Sequence, residues 1–150
     1  MLTNDMDLKL IDFGFARHQL KNQSLSSYVG TNTYMSPQIR NKENYSGFAA
    51  DVFSAGVLLF ILAAGTFPFL QGTQNDSYYK YLYFGRTADY FNKVNATGLS
   101  EDFKNLFLRM VSYDERTRIT LEEIQNHPWM KKDFDREAIR QQIIATQMES

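Results

Sequence analysis

"DVFSAGVLLFILAAG", residues 51–65, decides how this chain folds. From Val52 onward the run has no polar face, and a helix that is apolar all round belongs inside a protein. Asp51 reads as its N-cap, because a carboxylate there can accept from the free backbone donors of the first turn. Gly65 and Pro68 end it. Counted from Val52, the run is too short to span a bilayer. A chain this short rarely surrounds such a helix by itself, so exposed apolar surface is expected where further structure would dock.

The totals agree with a folded domain or a large part of one. The chain has 150 residues, of which 43% are apolar and 15% aromatic, enough for a core and unlike a disordered tail. Sixteen basic and 17 acidic side chains leave a net charge of -1. Nothing in that balance asks for nucleic acid or a membrane surface. With no cysteine, disulfides and thiolate metal sites are excluded, which fits a reducing, cytoplasmic setting. The start, "MLTNDMDLKL", has neither the basic end nor the apolar stretch of a signal peptide.

Downstream of the central run, "DSYYKYLYFGRTADYF" (residues 76–91) reads as a helix with a structureless lead-in, its tyrosines used for packing. Ser100 caps a helix whose Phe103, Leu106, Phe107 and Met110 share one face. Thr120 and Glu123 form a capping box, T-x-x-E, and that helix stops before Pro128. Ile139, Ile143 and Ile144 make a modest stripe on a charged helix over 135–148. Upstream, Gly30 and Pro37 punctuate a corner after a polar, aperiodic loop over 18–33. Loops of that length usually carry function or move.

At the other end, "LKLIDFGFAR" (residues 8–17) follows a turn, "TNDMD" (residues 3–7). Leu8, Leu10 and Ile11 read as a short strand, so Asp12 falls just past a strand end, where ligand-binding groups of α/β proteins gather. Gly14 lets the chain turn away. On these residues alone Asp12 is a metal-binding carboxylate or a plain turn residue, and the turn is the simpler of the two.

The order of the motifs separates those readings. "IDFG" (11–14), "GTNTYMSPQ" (30–38), "DVFSAG" (51–56), "RTRIT" (116–120) and "NHPWM" (126–130) together resemble the C-terminal lobe of a eukaryotic-type serine/threonine protein kinase. The ending is similar to the calmodulin-dependent group. The resemblance implies a mainly α fold with a short β-hairpin or strand at the N-terminus and a central buried helix. It runs over 1–130, and leaves 131–150 as a C-terminal tail helix. It also implies transfer of the γ-phosphate of ATP to Ser or Thr of a protein substrate, with Mg²⁺ as cofactor.

Roles carry over position by position. Asp12 matches the Mg²⁺ ligand, a hard oxygen anion for a hard cation. Phe13 would set that aspartate in or out, with Gly14 as pivot. The loop from Arg17 to Val29 resembles an activation loop. Ser27 matches a regulatory phosphosite, with Ser24 and Ser26 as alternatives and Arg17 placed to pair with the phosphate. Thr31 matches the threonine set beside the catalytic loop, and Tyr34 and Met35 would line the seat for the substrate residue after the target hydroxyl. Asp51 matches the aspartate that holds the catalytic loop by its backbone.

Three departures qualify this. The family's A-P-E is here Ser36-Pro37-Gln38, so the arginine matching Arg118 lacks its glutamate. Gln38 keeps a carbonyl acceptor without charge, and a softer lobe is expected. The family's tryptophan is here Phe53, which keeps the bulk. The glycine-rich loop, the strand lysine with its helix glutamate, and H-R-D-x-x-x-x-N, which carries the general base, are absent from these 150 residues. That last motif is expected to end about two residues upstream of Met1, so the chain reads as part of a longer kinase and is expected to be inactive alone. His18 and His127 do not replace the base and read as structural. The alternative is a pseudokinase-like binding module without phosphotransfer.

Overall fold

The computed structural model describes residues 3, 7–20 and 23–148. The chain is mainly helical: α1 Pro37–Arg40, α2 Gly47–Ala64, α3 Tyr79–Tyr83, α4 Thr87–Lys93, α5 Glu101–Met110, α6 Leu121–Gln125, a 3₁₀ turn Pro128–Lys131 and α7 Arg136–Met148.

Helix α2 organises the rest. Its N-cap is Ser46, whose hydroxyl accepts from the Ala49 N–H, so the helix begins at Gly47 and Asp51 lies one turn inside it. The expectation that Asp51 caps the helix is therefore corrected: a serine upstream already fills that place, and Ala49 and Ala50, both strong helix formers, carry the first turn from Gly47 to Asp51. Gly65 closes the other end with φ 69° and an N–H donated to the Ile61 carbonyl, a conformation glycine adopts without strain. At 18 residues α2 is longer than the run read from sequence, and long and apolar enough for a membrane span by length and composition. Here its inner face is the core: Phe53, Val57 and Phe60 are fully buried.

α2 and α5 cross closely. A Cβ built on Gly56 would lie 2.8 Å from Met110 Cβ and 3.0 Å from Val111 Cγ1. Gly56→Ala gains roughly 1 kcal/mol of helix propensity but overpacks this crossing at about 1–3 kcal/mol. A net loss of about 1 kcal/mol is expected in urea unfolding, and a stabilised variant would contradict it.

α5 and α6 begin as the sequence indicates. Ser100 Oγ accepts from Phe103 N, and Thr120 and Glu123 complete both halves of a capping box. Around Phe60 the aromatic core closes, with Phe107 at 4.7 Å and Tyr90 at 6.2 Å between ring centroids. The tyrosine-rich stretch divides into α3 and α4 at Gly85, φ 71°. Tyr79 and Tyr90 are buried and donate their hydroxyls to Val111 O and Pro68 O, so the stretch serves packing. Its lead-in is built, not structureless. The Asp76 carboxylate accepts four backbone N–H groups, from Leu70, Gln71, Tyr78 and Tyr79, at 2.9–3.2 Å.

The N-terminal segment is the least regular. The ends of the 3–7 turn are bonded, Thr3 N to Asp7 O at 2.9 Å; residues 4–6 lie outside the described residues. Leu8 has a single β-bridge position and no strand runs through Leu10 and Ile11. Their side chains are 84% and 60% exposed. A strand is stabilised by neighbours on its edges and a layer on its face, and the exposed side chains of Leu10 and Ile11 have no layer over them among the described residues.

Candidate functional site

The loop ahead of α1, the start of α2 and α1 itself enclose a cleft of about 480 Å³. It gathers residues that lie far apart in sequence: Arg17 and Ser27 of the loop, Thr31, Tyr34 and Met35 of the corner, and Asp51 of α2. The corner is held to the helix by Ser54, whose hydroxyl donates to Tyr34 O at 2.8 Å. Met35 is 5% exposed, in a cluster with Ile39, Tyr45 and Ala50. Thr31 begins the corner's turn, its carbonyl accepting from Tyr34 N at 2.9 Å.

Along the loop the cleft is lined at alternate positions, Leu25, Ser27 and Val29, the periodicity of extended chain. Ser24 and Ser26 are off that face. Arg17 is close enough to the Tyr45 phenol to pull its pKa down against the upward push of burial, which dominates. The same phenol donates to Ser27 O at 3.0 Å. Arg17 and Ser27 both line the cleft. His18 lines it too, whereas His127 is remote and structural: buried, with its Nε2 3.0 Å from Asn105 Oδ1 and its Nδ1 accepting from Trp129 N.

Asp51 is exposed at the start of α2, where water can solvate its carboxylate. Its carboxylate has no hydrogen bond or ion pair among the described residues, and partial burial raises its pKa above the ordinary value. A raised carboxyl pKa means that the fold is relatively most stable with the group protonated, and that this advantage is lost as pH rises from the unfolded pKa through the folded one. Asp51→Asn is therefore expected to raise the urea midpoint at pH 7 and to leave it unchanged at about pH 3. A lower midpoint at pH 7 would show that the charge has a partner within this chain.

Asp12 is not part of the cleft lining. It is exposed, with φ 61°, and turns Oδ1 back onto Gly14 N at 3.1 Å, a local turn that aspartate tolerates. Phe13 is 69% exposed. One exposed carboxylate suits a hard cation, but no group of three or more His, Asp or Glu able to hold a metal occurs among the described residues. The residues present supply one ligand and not a site.

Gln38 and Arg118 do meet. Arg118 Nη2 donates to Gln38 Oε1 at 3.0 Å, while Gln38 Nε2 donates to Tyr113 O at 2.6 Å. The guanidinium also serves Ala49 O and Ser112 O and lies 5.2 Å from the Phe53 ring centroid. Burial lowers its pKa, so carbonyl dipoles and a ring face carry the charge where the family uses a carboxylate. Sequence reasoning missed the Tyr113, Ala49 and Ser112 carbonyls, since backbone acceptors leave no residue-type signal.

These features coincide with a family match. The protein kinase domain matches residues 1–130, and the chain belongs to that family. Among its relatives, serine/threonine-protein kinase SAPK6 of Oryza sativa subsp. japonica is 34% identical over 131 residues, covering 87% of this chain and 35% of that protein. Serine/threonine-protein kinase SRK2G of Arabidopsis thaliana is 32% identical over 133 residues, 88% of this chain and 37% of that protein. Serine/threonine-protein kinase SIK1 of Mus musculus is 33% identical over 133 residues, 89% of this chain and 16% of that protein. The chain thus spans about a third of the length of the plant relatives it matches.

Proposed function

We propose that residues 1–130 are the activation-loop and substrate side of the C-terminal lobe of a serine/threonine kinase, followed by a tail over 131–150. In the parent protein Asp12 would be one oxygen ligand of the Mg²⁺ that accompanies ATP, a cation that would supply charge stabilisation there. Ser27 would be the regulatory phosphosite, with Arg17 to pair with its phosphate; Thr31 would lie beside the catalytic loop, and Tyr34 and Met35 would line the seat for the residue after the target hydroxyl of a protein substrate bearing Ser or Thr. Its setting would be the cytoplasm, away from nucleic acid and membrane. The observation that carries this reading is the cleft itself, where the loop, the Thr31 corner and an unpartnered Asp51 converge.

The α2 surface supports a partial lobe. Phe48, Leu58 and Leu62 are 66%, 49% and 76% exposed and fall with Asp51 and Ala55 at i, i+3 and i+4 spacing along one face. A bare apolar stripe interrupted by a carboxylate without donors is a surface shaped for structure outside these residues.

The 150-residue chain alone is expected to transfer no phosphate. Catalysis of phosphoryl transfer is positioning plus charge stabilisation, and neither a lysine–glutamate pair nor a general base is present. The test is incubation of the purified chain with Mg²⁺, radiolabelled ATP and a serine-containing peptide: incorporation above the no-enzyme blank would refute the reading. One observation favours the alternative of a binding module without transfer. The Arg118 cluster is fully bonded with an amide in place of the family carboxylate, so the fold does not require that charge.

A further inference from the structure

Two described stretches of the 13–29 loop are fastened to the start of α2. Gln19 is bonded at both ends of its amide: Oε1 accepts from Gly47 N at 2.8 Å, and Nε2 donates to Gln23 O. Leu25 and Tyr45 exchange both backbone hydrogen bonds, at 2.8 and 2.9 Å. The Tyr45 hydroxyl then takes Ser27 O, and its ring is 5% exposed in the cluster against which Leu25 packs. The closeness depends on one missing side chain. A Cβ on Gly47 would fall 2.7 Å from Gln19 Oε1 and 3.0 Å from Leu25 Cδ1.

We infer that Tyr45 and Gly47 form a latch that seats the loop on the N-terminus of α2, with Gln19 and Leu25 as its catch. Tyr45 is a positioning residue. It fixes which loop residues face the cleft, and it holds the backbone of Ser27 against the body of the protein. Ser27 is itself exposed, but an enzyme acting on its hydroxyl must also grip the chain on either side, which the latch ties down at Leu25 and at Ser27 O, so the opening of the latch sets when that serine is offered. This consequence rests on Ser27 being the regulatory site; the latch itself does not.

Peptide-resolved amide hydrogen exchange on the full chain tests the latch, with tryptic cleavage after Arg17 as a second readout and the helical circular-dichroism melt as a control. Tyr45→Phe keeps the ring and removes one hydrogen bond, worth about 1 kcal/mol or roughly a fivefold change in an opening equilibrium. Exchange over 23–29 should rise about fivefold while the melt stays in place. Gly47→Ala is the sharper variant: alanine is the better helix former, so the melt should hold or rise while the loop is displaced, exchange over 17–29 rises at least as much, and cleavage after Arg17 accelerates. Unchanged loop exchange in both variants would overturn the latch. So would a rise spread evenly over the chain with a falling melt, which would make Tyr45 a core residue and nothing more. Either failure leaves the phosphotransfer reading standing, because the two share no readout.

Discussion

Arg118→Ala is expected to destabilise the chain by about 3–5 kcal/mol, the usual range for breaking a buried charged network by removing one partner. The side chain is 4% exposed and donates to Gln38, Ala49, Ser112 and Tyr113. Its removal takes both guanidinium bonds from Ser112 O, strips the second donor from Ala49 O and Tyr113 O, leaves Gln38 Oε1 without its partner and opens a hole under the Phe53 ring. With roughly 2–4 °C lost per kcal/mol at this size, the melting point should fall by ~10 °C. Gln38→Ala is the graded control. Arg118 then keeps Ala49 O and Ser112 O, so the loss should be about 1–3 kcal/mol. Urea unfolding followed by circular dichroism measures both. An Arg118→Ala variant within 1 kcal/mol of the parent would show that the carbonyl set does not depend on the guanidinium.

The second large effect belongs to Asp76. One carboxylate, 9% exposed, satisfies Leu70 N and Gln71 N with Oδ2, and Tyr78 N and Tyr79 N with Oδ1. It thereby caps the start of α3 and pulls the preceding loop onto it. Asp76→Ala orphans four backbone donors at once; at about 1 kcal/mol for each that water does not fully recover, a loss of about 3–4 kcal/mol is expected. Asp76→Asn should fall between, because its amide presents only one acceptor oxygen to two pairs of donors. The distinguishing measurement is exchange at Leu70, Gln71, Tyr78 and Tyr79, which should accelerate before the rest of the core. Equal protection at these four amides in the alanine variant would remove Asp76 from this role.

Both predictions concern residues that the sequence marked unequally. Arg118 stood out because it matched a family arginine whose partner was missing. Asp76 gave no signal, since an aspartate before a tyrosine run looks like any turn residue. Its role depends on two backbone segments arriving at the same carboxylate. Asp51 shows a third pattern. Its identity as a marked position was legible, but its assignment as a cap was not, because Ser46 competes for the same end of α2 and serine caps as well as aspartate does. The strand read at Leu8, Leu10 and Ile11 fails for a related reason. Alternation records a preference for a pleated surface, and among the described residues it is met only at the single bridge position of Leu8.

What the sequence determined by itself is the set of local decisions whose causes lie within a turn or two: the apolar body of α2, its stop at Gly65, the caps at Ser100 and Thr120, and the spaced motifs that place the chain in the protein kinase domain family. What only the tertiary structure decided is where unlike groups meet. The loop is seated on α2 through Gly47, the Arg118 charge is solvated by carbonyls, and Asp51 has no hydrogen-bond donor among the described residues. The physical reason is range. Hydrogen bonds along a helix join residues four apart and leave a periodic trace in the sequence, whereas Gln38 and Arg118 are 80 residues apart, and only the packed core brings them together.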